Sequence, residues 1–192
     1  IEWLIDNLPI NTAYTLDSVG NLHVDTRKGK TNRTLFIAHV DTVHAAEGPN
    51  KIRKTYTKWY ACGSQLGADD GAGVALLMHL LCGGVAAYYI FSVGEECGGV
   101  GARHIAAEFP ALLAEFDRAI AFDRRGTDSV ISYQGFSRCC SDTFGDALAR
   151  ELNDNGDNFF YSVDPTGVYT DTAEFTDLIS ECTNISVGYD HE

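Results

Sequence analysis

Seven side chains of this 192-residue chain could do chemistry together: one imidazole, His39, and six carboxylates, Asp41, Asp69, Asp70, Glu95, Glu96 and Asp123. They fall in short strings, HVD (39–41), DD (69–70), GEE (94–96) and FD (122–123), and all but the Asp pair close a β-prone apolar run. Such a cluster cannot stay ionised in a partly dry cleft. Like charges a few ångströms apart raise one another's pKa until protons or cations neutralise them. Divalent cations are the simplest answer, and mixed nitrogen and oxygen donors suit zinc, with cobalt or manganese as substitutes. The imidazole argues against calcium and magnesium, and two ions match the ligand count better than one.

For these residues to meet, the elements carrying them must end at one place. Residues 34–38 (TLFIA) and 85–93 (VAAYYIFSV) are continuous apolar runs of the kind found in strands covered on both faces. Residues 118–122 (RAIAF) make a third and 129–133 a fourth, with further strands near 159–163 and 184–187. Between them the period changes to that of a helix. Val74, Leu77, Met78 and Leu81 share a stripe that Gly83 and Gly84 terminate, and a helix is expected to run to about Phe109. Phe144, Leu148 and Leu152 form another stripe behind Ser141, an N-cap candidate, and a last helix is expected near 172–178. Upstream, residues 1–9 read as a short amphipathic helix closed by Pro9. A hairpin spans Tyr14 to Asp25 around Ser18-Val19-Gly20-Asn21, and the polar, basic stretch 47–58 reads as a loop.

Strands alternating with helices predict an α/β fold, a three-layer α/β/α sandwich on a mixed, largely parallel central sheet. In such sheets ligands bind beyond the carboxyl ends of the strands, where the acidic strings fall.

Composition excludes several other classes. Fourteen basic against 27 acidic residues leave a net charge of −13, which repels nucleic acid and anionic membrane surfaces. No apolar stretch approaches the roughly 18 residues of a membrane span. The six cysteines include no Cys-x-x-Cys pair, and the adjacent Cys139 and Cys140 are poorly placed to bond each other. They read as small core hydrophobes in a reducing, cytoplasmic setting, with Cys97, beside Glu96, the one close to the chemistry. The chain begins at Ile1 without a signal segment and reads as a trimmed product.

The series HVDTV (39–43), LGADDGAGVA (66–75), GEECGGVGA (94–102), FDRRG (122–126) and ECTNISVGY (181–189) resembles the co-catalytic dinuclear zinc aminopeptidases and their carboxypeptidase and dipeptidase relatives. The resemblance covers most of the chain and implies peptide-bond hydrolysis, with a peptide or aminoacyl substrate. It implies that His39 binds one zinc, that Asp69 bridges two through a position whose bond to Asp70 is often cis, and that Glu96 and Asp123 complete the two spheres. Glu95 is then the general base and Asp41 the carboxylate that orients His39. His191 is the one candidate for a C-terminal histidine ligand. The family spacing from Tyr189 sets that histidine one place past Glu192, so a truncated C-terminus is also expected. Asp123 and His191 are 68 positions apart. That is too short for a lid or dimerisation domain of about 100 residues, so residues 1–192 are expected to form one lidless, aminopeptidase-like catalytic domain.

Plainer readings stand beside these. Asp69 and Asp70 suit a helix start, Glu95 and Glu96 a solvated turn, and Asp123 an ion pair with Arg124 or Arg125. Asp171 and Thr172 (VYTDTAEF) suit either a cleft wall or a helix cap, and His44, His79 and His104 read as surface residues. Two other functions compete with exopeptidase action: a single-zinc acyltransferase such as a glutaminyl cyclase, and a non-catalytic peptide-binding relative.

Overall fold

The computed structural model describes residues 1–44, 51–63, 65–156 and 158–191. Its elements begin with helix α1 (Glu2–Asp6), hairpin strands β1 (Tyr14–Leu16) and β2 (Leu22–Asp25), and β3 (Thr34–His39). Strands β4 (Ile52–Lys54) and β5 (Trp59–Ala61) precede helix α2 (Ala68–Cys82) and strand β6 (Tyr88–Ser92). Helices α3 (Val100–Glu108) and α4 (Pro110–Leu113) lead into β7 (Arg118–Arg124), β8 (Ser129–Ile131), β9 (Tyr133–Gln134) and β10 (Ser137–Arg138). Helix α5 (Asp142–Asn155), β11 (Ser162–Asp164), a 3-10 helix (Asp171–Phe175) and β12 (Glu181–Ser186) complete the order.

Eight strands form one sheet in the order β1-β2-β6-β3-β7-β12-β8-β11. The central four, β6, β3, β7 and β12, are parallel, while β2 joins β6 antiparallel. Period-two alternation sends their apolar side chains to opposite faces. Phe36 and Ala38 of β3, Tyr89 and Phe91 of β6, and Ile120 and Phe122 of β7 pack with α1, α2 and α5. Their neighbours Leu35, Ile37, Tyr88, Ile90, Ala119 and Ala121 pack with α3, α4 and Phe175. The expected three layers and largely parallel mixed sheet are therefore present.

Local chemistry accounts for the boundaries. Ser141 caps α5 through a hydrogen bond from the Phe144 amide, 3.1 Å. A Cβ at Gly73 would stand 2.0 Å from the Phe122 carbonyl, so only glycine lets α2 lie this close to β7.

Some expectations need correction. The stretch read as a loop contains β4, which pairs with β5 across a turn where the Lys58 amide donates to Thr55 Oγ1 at 2.9 Å. Its strands face solvent and lack the buried alternation by which strands are recognised. Residues 47–50 of that stretch lie outside the described residues. The helix expected near 172–178 is a 3-10 segment, and α4, β9 and β10 are short elements without a clear period. The cysteines divide: Cys139, Cys140 and Cys182 are buried, whereas Cys62, Cys82 and Cys97 are exposed. Among the described residues no helix is long and apolar enough to cross a membrane.

Candidate active site

Strands β3, β6 and β7 stop side by side, and polar residues follow where they stop. His39, the last residue of β3, is paired with Ser92, the last of β6, and is buried. Its Nε2 lies 3.1 Å from Asp69 Oδ1 and 3.5 Å from Asp123 Oδ1. Its Nδ1 is 2.9 Å from the Asp41 carbonyl oxygen and 3.5 Å from Asp41 Oδ1. Burial pulls the imidazole pKa down, but the carboxylates of Asp123, Asp41 and Asp69 override it and hold the pKa far above the ordinary histidine value.

The two members of the Asp pair do different work. The backbone around them is non-helical and the bond between them is cis. Asp70 turns inward, where Oδ2 accepts the His39 amide at 3.1 Å and Oδ1 accepts the Gly73 amide at 3.0 Å. It fastens the end of β3 to the start of α2. Asp69 instead faces the His39 ring, and the Tyr189 hydroxyl lies 3.0 Å from its Oδ2. Burial raises the Asp70 pKa well above the carboxylate range. At Asp69 burial also acts upward but is outweighed by hydrogen bonds from His39, Asp123 and Tyr189, which lower its pKa.

Asp41 supports the GEE segment. Its Oδ1 accepts the amides of Gly94 (2.8 Å) and Glu95 (3.2 Å), and its Oδ2 accepts that of Glu96 (3.2 Å). Burial alone would raise its pKa. Hydrogen bonds from His39 and the Glu95 amide win and bring it to about 2. This segment is not the end of a strand, since β6 stops at Ser92 and Gly94 takes φ +72°. Glu95 and Glu96 therefore do not splay to opposite faces as they would on extended chain. Each offers an oxygen within 4.8 Å of a His39 nitrogen and of the other. Burial, then the charge of Asp123, pushes the Glu95 pKa up to about 8.

His39, Asp69 and Asp123 form a second group whose ligand atoms lie within 4.8 Å of one another. One imidazole nitrogen and several carboxylate oxygens at this spacing, two sharing the same ring, fit divalent cations by donor type and by charge. The structure thus brings His39, Asp41, Asp69, Glu95, Glu96 and Asp123 together. It does not bring His191 to them: that residue is exposed, stands outside both groups, and lines a groove with Lys58, Tyr60 and Asp190. Among the described residues Asp123 pairs with neither Arg124, which meets Asp164 at 3.3 Å, nor Arg125.

Other residues hold this arrangement in place. Thr170 Oγ1 donates to Asp123 Oδ2 at 2.5 Å, and the Asp123 amide donates to Asn184 Oδ1 at 2.9 Å. Asp171 is buried close enough to feel the charges of His39 and Asp41; it bonds the Ser92 hydroxyl through Oδ2, and among the described residues its Oδ1 has no partner. Ser92 has one hydrogen for two acceptors, Asp171 and the Ala38 carbonyl 3.3 Å away. A proton on Asp171 would supply the missing bond, and burial acts in that direction by pushing its pKa up to about 7. Thr170, Asn184 and Tyr189 gave little signal in the sequence, although Asn184 and Tyr189 lie inside the ECTNISVGY string.

Solved structures provide a comparison. The TET1 peptidase of Pyrococcus horikoshii, in its dodecameric form, aligns at TM-score 0.67 and 18% identity over 96% of this chain and 83% of that one. The aminopeptidase PepT of Bacillus cereus aligns at TM-score 0.70 and 14% identity, covering 98% and 83%. An aminopeptidase of the archaeon Desulfurococcus kamchatkensis aligns at 0.62 and 14%, covering 96% and 79%. No protein-family model and no curated relative matches the sequence. At these identities the likeness is one of fold, and the chain has the α/β fold of these exopeptidases.

Proposed function

We propose that this chain is a zinc-dependent peptidase of the co-catalytic dinuclear type, acting on the amino-terminal residues of peptides. The observation that carries this reading is the convergence of His39, Asp69, Asp123, Glu95 and Glu96 at the carboxyl ends of adjacent parallel strands. In this reading His39, Asp69, Glu96 and Asp123 would hold two ions, and His191 is left out of the set. The ions supply Lewis acidity, polarising the scissile carbonyl and lowering the pKa of water.

The remaining work falls to the protein. Glu95, whose pKa burial and the charge of Asp123 raise, is a stronger base than an ordinary carboxylate; kept ionised by cations bound beside it, it would take a proton from the attacking water and hand it to the leaving amine. Asp41 holds the Glu95 amide and the His39 ring in one frame, so base and ligand keep a fixed separation. Tyr189 and Thr170 each occupy an oxygen of Asp69 and Asp123 respectively, which limits how those carboxylates turn.

Elemental analysis of protein purified without chelator tests the reading. About two zinc ions per chain are expected. Glu95→Ala should keep them and lose about 10²- to 10⁴-fold in hydrolysis of aminoacyl anilides. One ion per chain with acyl transfer would favour the glutaminyl-cyclase type, and substoichiometric metal without turnover the peptide-binding relative. Either would overturn the proposal.

A further inference from the structure

The cavity over the candidate ligands has two signs of charge. Its volume is about 230 Å³, and it is lined by Asp69, Glu95, Glu96 and Asp123 but also by Arg124 and Arg125. The same two arginines line an adjoining groove of about 450 Å³ with Asp190 and His191, which contains none of those four acids. They therefore stand at the boundary between the two spaces.

The arginines are not equivalent. Arg124 is half-buried and already committed, with Nη2 3.3 Å from Asp164 Oδ2 and 3.2 Å from Thr166 Oγ1. Arg125 is exposed, and among the described residues its guanidinium has no ion-pair or hydrogen-bond partner. An uncommitted arginine lining an otherwise acidic cavity, in a chain of net charge −13, favours an anionic group carried in by the ligand. Arg125 lines the same cavity as Glu95, so a carboxylate it held would lie close to the bond presented to that residue.

We infer that Arg125 is a specificity residue that holds a carboxylate of a short peptide, on the far side of the bond presented to Glu95. The inference rests on the peptidase reading and narrows it to small peptides whose carboxylate is close to the scissile bond. Two sources offer that chemistry: the free C-terminus of a dipeptide or tripeptide, and an acidic side chain just after the bond. The guanidinium is suited to either through paired N–H donors, and Arg124, neutralised by Asp164, fixes the wall beside it.

Metal-loaded protein and its Arg125→Ala and Arg125→Lys variants should be compared on Ala-Ala, its C-terminal amide, and Ala-Glu amide. Turnover and calorimetric binding are both read, with binding measured in the Glu95→Ala background. The wild type should favour Ala-Ala over its amide by about tenfold in kcat/KM and in affinity, since a charge-assisted hydrogen bond is lost in the amide. Arg125→Ala should collapse that ratio to near one, and Arg125→Lys should restore part of it. A high value for Ala-Glu amide would assign the subsite to the side chain, and a low one to the C-terminus; both support an anion site. Equal handling of all three peptides by the wild type would overturn the inference while leaving the peptidase reading intact. A uniform fall for all substrates in Arg125→Ala would overturn it too, by showing a merely structural role. Absence of any turnover would sink the peptidase reading instead, and the binding ratio would still decide on Arg125.

Discussion

Two charge clusters sit at opposite ends of the same parallel strands, and they are built on opposite principles. At the amino ends, Arg27 is enclosed between the rings of Tyr88 and Phe116, 5.2 and 4.6 Å from their centroids. It reaches Asp25 at 2.8 Å and Glu115 at 2.9 Å, and Lys30 meets Glu115 at 2.5 Å. Two cations face two anions. Burial acts against the charge on Asp25, yet its hydrogen bonds with Arg27 prevail and lower its pKa, while Lys30 and Arg27 lower that of Glu115. At the carboxyl ends a single imidazole faces several carboxylates, and burial raises Asp70, Glu95, Asp123 and Asp171. A matched cluster leaves no surplus charge for a ligand to balance. A cluster with surplus negative charge is suited to what it will bind, and this contrast separates scaffold from site more clearly than burial does.

The contrast can be broken from either end. Arg27→Ala empties the space between the Tyr88 and Phe116 rings and removes the partner of Asp25, and should cost about 2–3 kcal/mol of stability in urea unfolding, leaving peptide hydrolysis per folded molecule unchanged. A loss of activity without loss of stability would contradict the scaffold role. Asp41→Asn replaces an acceptor of backbone amides at the other end and should lower zinc affinity or turnover about 10- to 100-fold, read by metal titration. A third test reads pH dependence at Asp171. Its pKa is raised from 3.8 to about 7, so between those values the folded state holds a proton the unfolded state lacks, and stability falls as pH rises through that window. The slope from this one group is about 1.4 kcal/mol per pH unit. Asp171→Asn should flatten it, because the amide keeps the shape of the neutral acid and never ionises; an unaltered profile would show that Asp171 is ionised in the folded protein.

Much of this arrangement was legible in the sequence. The runs at 34–38 and 118–122 announced buried strands because, after Thr34 and Arg118, the residues on both faces are apolar; HVD marked where the chain leaves the sheet, while FD falls just inside the end of β7. Ser141 announced α5 through a contact only three residues long. The β4–β5 hairpin was hidden because its side chains face water, so no alternation distinguishes it from a loop. Asp171 was visible as a residue but not as a buried acid, since the Ser92 that bonds it is 79 positions away.

By itself the sequence determined the class of fold and the identity of the acids, because periodicity and strand-end chemistry are local properties of the chain. Tertiary structure alone decided how those acids divide their work. Asp70 became a fastening and Asp69 a candidate ligand because one carboxylate meets the His39 amide and the other the His39 ring. Glu95 and Glu96 converge because Gly94 bends the chain and Asp41, more than fifty residues upstream, accepts the amides of the turn. His191 fell outside the cluster for the same reason: which groups share a cavity depends on contacts that no local pattern records.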